Sequence, residues 1–148
     1  DQPAQYMLPP ARFEAGTQPV AQVVAAGVAA EWMMSIGMDQ LEAHERKLTG
    51  ELLKMGDIEG IRILGPRENA DRIGTVAFDI NGVHPHDVGQ FIDAQGIAIR
   101  VGHHCAQPVH RHFGLYASNR ASCGVYNNVE DIHALLDALG KVRAFFGA

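Results

Sequence analysis

Short runs rich in apolar residues, most of them next to a glycine, proline or asparagine, constrain the fold of this chain more than any other feature. Runs of this kind predict four strands, at 61–64, 73–80, 97–100 and 120–126. Longer segments with apolar residues three or four positions apart predict four helices, at about 18–36, 38–55, 84–94 and 128–146. The order of these elements predicts an α+β fold in which helices cover a small mixed or antiparallel sheet.

The composition argues against two classes of partner. The chain has 148 residues and a formal net charge of −5, so it lacks the basic character of a nucleic-acid-binding protein. No apolar run reaches the roughly 20 residues that a membrane span requires, and the first residues do not resemble a signal peptide. Two cysteines without an export signal favour a reducing, cytoplasmic location.

The stretch from Ile97 to Ala106 carries the most chemistry. The predicted strand ends at Arg100, and two histidines and a cysteine follow a glycine without a spacer. Cationic neighbours stabilise a thiolate over a thiol, and the thiolate is the nucleophilic form. We therefore predict that Cys105 is a catalytic nucleophile on a mobile loop that extends from residue 101 to about residue 119.

Four ordered motifs resemble the SufS-type, or class II, cysteine desulfurases. The segment from Arg100 to Ala106 is similar to the RxGHHCA signature of these enzymes. Arg12 to Gln18 resembles their RFEAGTP segment, His84 to Val88 precedes the signature at the usual distance, and Arg120 to Asn127 resembles their RAS…YN strand. The resemblance covers essentially the whole chain, and it implies the C-terminal domain of a fold-type I pyridoxal phosphate enzyme.

The resemblance implies a reaction and a set of residues for it. Enzymes of this family take sulfur from L-cysteine for iron–sulfur cluster assembly, so Cys105 would become a persulfide while alanine leaves. Arg120 would hold the α-carboxylate of the substrate, for which a guanidinium group is well shaped. Gly16 and Thr17 would contact the phosphate of pyridoxal 5'-phosphate bound in the neighbouring subunit of a homodimer. Thr17 is also a candidate N-cap of the first helix.

Further roles stay open at the level of sequence. His103 and His104 are candidates for proton transfer, and Arg100 either tunes the thiolate, contacts a partner or is solvated. The family passes its sulfur to a SufU-like or a SufE-like acceptor. In members that use the zinc-containing SufU, the histidine that matches His86 can replace one of the zinc ligands of SufU. A histidine at the start of a helix that is bonded to the backbone is an equal alternative for His86.

The chain matches only the C-terminal part of such an enzyme. Residues 1–19 are expected to form an extended segment and turn that continue from a large domain, and residues 20–148 to form the small domain. The lysine that binds the cofactor would lie in the large domain, because Lys47, Lys54 and Lys141 match no such context. The chain alone is therefore expected to be inactive.

Two other interpretations come from different functional classes. Six of the eight histidines lie between residues 84 and 112, together with Cys105, which suggests a His/Cys metal-binding module, although the paired spacing of a structural zinc site is missing. A non-catalytic domain that binds a sulfur-transfer partner is the third possibility. The basic run His110-Arg111-His112 would suit an acidic sulfur acceptor, and Cys123, inside the last strand, is expected to be buried and unreactive.

Overall fold

The computed structural model describes residues 5–69 and 72–148, and these residues form two compact units that are divided after Met38. The first unit holds a short 3-10 turn, Ala11–Phe13, and helix α1, Val20–Ile36. The N-cap of α1 is Pro19, which makes no side-chain capping bond, so the prediction that Thr17 caps this helix is wrong. The Val20 amide instead donates to the carbonyl oxygen of Gln18, at 2.8 Å.

Helix α1 is apolar around its whole circumference. It is built from valine, alanine, methionine and tryptophan with a single charged residue, and none of its side chains is buried. No single helix among the described residues combines the length and the apolar character needed to cross a membrane, and α1 and the next helix together meet these criteria by length and composition only.

The second unit contains the sheet. Its helices and strands follow one another in the order α2 (Met38–Leu52), β1 (Ile61–Leu64), β2 (Thr75–Ile80), α3 (Pro85–Asp93), β3 (Arg100–Gly102), α4 (Gln107–Phe113), β4 (Ser118–Ser122) and α5 (Val129–Phe146). The strand order is β1-β2-β4-β3, and all three pairs are antiparallel. The predicted α+β fold with a helix-covered sheet is therefore confirmed, with α4 as an element that the sequence pattern did not predict.

One face of the sheet supports the hydrophobic core. Val76, Phe78 and Ile80 alternate along β2 and are fully or almost fully buried. They belong to one apolar cluster with residues of α2, α3 and α5, which cover this face. Because neighbouring residues of a strand point to opposite faces, the intervening residues of β2 and β4 face the other side. The polar face is the side of the sheet that carries Ser118 and Arg120.

The third and fourth strands are displaced from their predicted positions. The segment 97–99 does not pair with β4, because the Ile97 amide still donates to the carbonyl oxygen of Ile92 at the end of α3. Strand β3 therefore begins at Arg100 rather than ending there. Strand β4 begins at Ser118 and ends at Ser122, so Cys123 lies just beyond the strand rather than inside it.

Candidate active site

Cys105 lies in a tight turn that follows β3. The Ala106 amide donates to the carbonyl oxygen of His103 at 2.8 Å, and the two central residues, His104 and Cys105, have φ values of 53° and 58°. This left-handed conformation costs a non-glycine residue about 1 kcal/mol or more. The strained turn presents the Cys105 side chain as an exposed free thiol. The tight turn and helix α4 thus replace part of the predicted loop.

His104 is fixed by a hydroxyl that it shares with His110. Its Nε2 lies 3.1 Å from Ser118 Oγ, and Nε2 of His110 lies 2.8 Å from the same oxygen. Ser118 is fully buried and His110 is 4% exposed. Burial lowers the pKa of His104, and the nearby positive charge of Arg120 lowers it further. The lowered pKa favours the neutral imidazole of His104 over its charged form.

His103 packs at the edge of the same group. Its ring meets the rings of His110 and Tyr116 nearly at right angles, with centroids 5.8 Å and 5.0 Å away. Its Nε2 is buried and has no hydrogen-bond partner among the described residues. The structure therefore brings both predicted histidines, His103 and His104, to the turn that carries Cys105. His104 is hydrogen-bonded to Ser118, whereas His103 packs against aromatic rings.

Two arginines stand opposite each other on the polar face. Arg100 of β3 and Arg120 of β4 are register partners in the antiparallel pair. Like charges directly opposite each other in a sheet repel, and a bound anion relieves that repulsion. Arg100 is exposed, whereas Arg120 is half-buried and its Nε has no partner within the described part of the chain. The pair has the charge and the free donors to hold a carboxylate.

The sequence pattern did not reveal the place of His110. The sequence places it in a basic run with Arg111 and His112. In the structure His110 is buried against the polar face, while Arg111 and His112 are exposed on α4. Ser118 was not predicted as a site residue either. No local pattern marks either residue, because His110 lies on a helix that the sequence does not predict; in the structure its Nδ1 lies 3.0 Å from the Ala106 carbonyl oxygen.

Cys123 differs from Cys105 in its exposure. It is half-buried, and its Sγ donates to the carbonyl oxygen of Gly74 at 3.4 Å. Burial raises the pKa of the Cys123 thiol, and the charge of Glu45 raises it further. A raised pKa disfavours the thiolate, so Cys123 has the character of a packing residue.

His86 is exposed near the start of α3. The backbone bond expected of a helix-start histidine is made by His84, the N-cap, whose Nδ1 accepts from the His86 amide at 3.2 Å. The His86 ring stacks almost parallel on the His84 ring, with centroids 5.9 Å apart. The nitrogens of the His86 ring have no hydrogen-bond partner in the described ranges, which leaves them open to solvent.

Gly16 and Thr17 form a bend in the first unit, three residues before α1 begins. Gly16 has a φ of 82°, and a Cβ added there would meet no atom within 4 Å. Both residues are exposed. Since Thr17 makes no capping bond to α1, its hydroxyl is available, and an open turn with a free hydroxyl fits a phosphate group.

The alternative of a metal-binding module gains no support from the geometry. Across residues 5–69 and 72–148, no group of three or more histidine, cysteine, aspartate or glutamate side chains is arranged to hold a metal ion. The histidines between residues 84 and 112 form two groups, His84 and His86 at the start of α3 and His103, His104 and His110 around the turn at Cys105, while His112 is exposed on α4.

A family model for aminotransferase class-V proteins matches residues 2–135 of the chain. The chain is 48% identical over 143 residues to a probable cysteine desulfurase of Streptomyces coelicolor, and 46% identical over 143 residues to a probable cysteine desulfurase of Mycobacterium leprae. In both alignments 96% of this chain is covered, but only 34% of the relative. The chain therefore spans about a third of the length of these curated relatives.

Solved structures give the same result. A cysteine desulfurase from Thermococcus onnurineus, in its apo form, superposes with a TM-score of 0.84 at 33% identity, covering 93% of this chain and 34% of that one. The Escherichia coli cysteine desulfurase CsdA, in an S-sulfonic acid form, superposes with a TM-score of 0.80 at 32% identity and covers 92% and 33%. The predicted likeness to the C-terminal part of fold-type I enzymes is confirmed.

Proposed function

The chain belongs to the aminotransferase class-V family, and on that premise we propose that it is the C-terminal part of a SufS-type cysteine desulfurase. One observation carries this proposal. An exposed cysteine thiol lies in a strained turn, next to His104 and close in the sheet to a pair of opposed arginines. The substrate would be L-cysteine and the products alanine and a persulfide on Cys105.

Cys105 has the exposure that this reaction demands. Its thiolate attacks the sulfur of L-cysteine, so an S–S bond forms and the Cβ–S bond of the substrate breaks. The carbon keeps the electron pair of the broken bond and takes a proton, which gives alanine. The sulfur that remains on Cys105 must then leave for an acceptor. An exposed turn serves both steps, since a buried thiol could meet neither substrate nor acceptor.

Arg120 is the group that we assign to the substrate carboxylate. A guanidinium fork binds a carboxylate through two parallel hydrogen bonds. Its unpartnered Nε, together with the opposed Arg100, supports this role. His103 and His104 stand beside Cys105 as the groups that accept or hold protons.

The chain offers residues for the phosphate group of pyridoxal 5'-phosphate but none for the aldehyde group. Gly16 and Thr17 suit its phosphate, contributed to the site of the neighbouring subunit in a homodimer. We do not assign the cofactor to any of the three lysines of the chain. Lys47 lies on α2, Lys54 in the turn after α2 and Lys141 on α5, and Lys54 is paired with Glu51 at 2.7 Å. When bound, the cofactor supplies the electron sink that weakens the substrate C–S bond.

The destination of the sulfur is the remaining part of the proposal. We assign the persulfide to iron–sulfur cluster assembly in the cytoplasm, by way of a SufU-like or SufE-like acceptor. The exposed, solvent-facing His86 ring supports the zinc-containing SufU type, since a neutral imidazole is a good zinc ligand.

The test compares the two cysteines in the complete enzyme that contains this chain. Cys105→Ser is expected to abolish alanine formation from L-cysteine, because a hydroxyl cannot take up the sulfur atom. Cys123→Ser is the matched control and should retain most activity, since its thiol is half-buried and bonded to Gly74. Alanine formation that survives Cys105→Ser but not Cys123→Ser would refute the assignment.

A further inference from the structure

The hydrogen bonds around Ser118 determine where each proton lies. The carbonyl oxygen of Ala106 can only accept, so the His110 Nδ1 at 3.0 Å must carry a proton. In a neutral ring the His110 Nε2 is then an acceptor, and the Ser118 hydroxyl at 2.8 Å donates to it. That leaves the lone pairs of Ser118 Oγ for the proton of His104 Nε2, at 3.1 Å.

This chain of bonds fixes His104 in one tautomer. With its proton on Nε2, the unprotonated nitrogen of His104 is Nδ1. That nitrogen is buried and has no hydrogen-bond partner in the described part of the chain. A buried, unpaired lone pair costs free energy, so this tautomer of His104 persists only because the bonds around Ser118 hold it.

We propose that His110 is a positioning residue: through Ser118 it holds His104 with a free Nδ1, and through Ala106 it clamps the turn that carries Cys105. The two effects use different nitrogens of one ring. Nε2 sets the direction of the Ser118 hydroxyl, and Nδ1 binds the carbonyl of the residue that closes the turn.

Ring packing is the competing explanation for His110. Its ring centroid lies 5.8 Å from that of His103 and 5.6 Å from that of His104, so a phenyl group would fill the same space. The two explanations predict opposite orders for how well substitutions at position 110 preserve the state of His104. His110→Phe keeps the ring and loses both nitrogens, whereas His110→Gln loses the ring but keeps an acceptor near the position of Nε2. His110→Asn keeps only a donor near the position of Nδ1.

The inference deepens the proposed function, but its first test requires no turnover. Long-range proton–nitrogen NMR spectra of the histidine rings, recorded on the full 148-residue chain near neutral pH, report which ring nitrogen bears the proton. We expect His110 protonated on Nδ1, the less common form of a free neutral imidazole, and His104 protonated on Nε2. His110 protonated on Nε2 would overturn the proposal whatever the chain catalyses.

The variants separate positioning from packing. In His110→Gln the His104 nitrogen resonances should stay close to those of the original chain. In His110→Phe and His110→Asn the Ser118 hydroxyl is released, and the His104 Nδ1 resonance should shift towards the average of two tautomers. His112→Phe, an exposed position on the same helix, is the control and should shift nothing. A His110→Phe chain with unchanged His104 resonances would show that packing is the whole role.

The same variants in the complete enzyme distinguish the two proposals. If His110→Phe lowers kcat for alanine formation and His110→Gln restores it, both stand. If the ring spectra are as expected while the enzyme forms no alanine from L-cysteine, the proposed function fails and the positioning of His104 stands. If the enzyme is active and His110→Phe leaves both kcat and the ring spectra unchanged, only the positioning role fails.

Discussion

At the scale of single residues, the site contains residues in unfavourable states, namely strained backbone conformations and a buried donor without a partner. His104 and Cys105 adopt left-handed backbone conformations, and the Nε of Arg120 is buried without a partner in the described ranges. Each of these features costs free energy, and such costs accumulate at sites where function requires them. The exposed thiol, the neutral histidine and the opposed arginines are therefore best explained together, as one site.

Arg120 offers a test of substrate binding at this scale. Arg120→Lys keeps the charge but loses the bidentate geometry, so we expect kcat/KM for L-cysteine in the complete enzyme to fall about tenfold or more, which corresponds to one charge-assisted hydrogen bond of about 1.5 kcal/mol or more. The measurement is steady-state alanine formation.

Cysteamine, which has no carboxylate, provides the control for that substitution. The quantity to compare is the ratio of the enzyme's affinities for L-cysteine and for cysteamine. If Arg120 binds the carboxylate, this ratio should be smaller in Arg120→Lys than in the original enzyme. An equal loss of binding for both compounds would mean that Arg120 acts on something other than the carboxylate.

At the scale of elements, the sequence predicts types better than boundaries. Strand β1 lies at its predicted position, and α5 begins within one residue of its own predicted start. The start of α5 was predictable because a capping box marks it: Asn128 Oδ1 accepts from the Asp131 amide, and the Asp131 carboxylate accepts from the Asn128 amide. Strands β3 and β4 were misplaced because their pairing depends on partners far along the chain, which a local pattern does not contain.

Helix α4 was missed for a related reason. Its seven residues are too few to show a periodic pattern, and its only buried side chain is a histidine. The helix forms against the polar face of the sheet, where Arg62 donates to the Phe113 carbonyl oxygen at 3.2 Å and lies over the Phe113 ring. Motif resemblance, by contrast, located Cys105, His104 and Arg120, whereas His110 and Ser118 required coordinates.

The cap of α5 gives a prediction at the scale of elements. Asn128→Ala removes one side of the capping box, and we expect the free energy of unfolding to fall by about 1 kcal/mol. Chemical denaturation followed by circular dichroism measures this change. Glu130→Ala is the matched control in the same turn, because its exposed side chain makes no capping bond. A larger loss for Glu130→Ala than for Asn128→Ala would contradict the assignment of the cap.

At the scale of the whole molecule, the chain contains some parts of an active site and not others. It spans about a third of its curated relatives, and under the proposed function it would supply the thiol of Cys105, the arginine for the substrate carboxylate and the turn for the cofactor phosphate. Its three lysines occupy helices and turns away from the polar face of the sheet. Under the proposed function, the complete reaction would therefore require groups from outside these 148 residues.

This division predicts how the chain behaves alone. Incubated with pyridoxal 5'-phosphate and then reduced with borohydride, it should carry no stoichiometric cofactor on Lys47, Lys54 or Lys141, and with L-cysteine it should form no alanine. Intact-mass measurement and amino-acid analysis check the two expectations. A single lysine that is fully modified, with alanine formed, would show that the chain holds a complete site.

The central claim concerns one sulfur atom on one residue. The most direct measurement is mass spectrometry of the peptide that contains Cys105, after the complete enzyme has reacted with L-cysteine in the absence of an acceptor. The account predicts a gain of one sulfur atom on Cys105, removable by a thiol reductant, and no gain on Cys123. An unmodified Cys105 in an enzyme that releases alanine would contradict it.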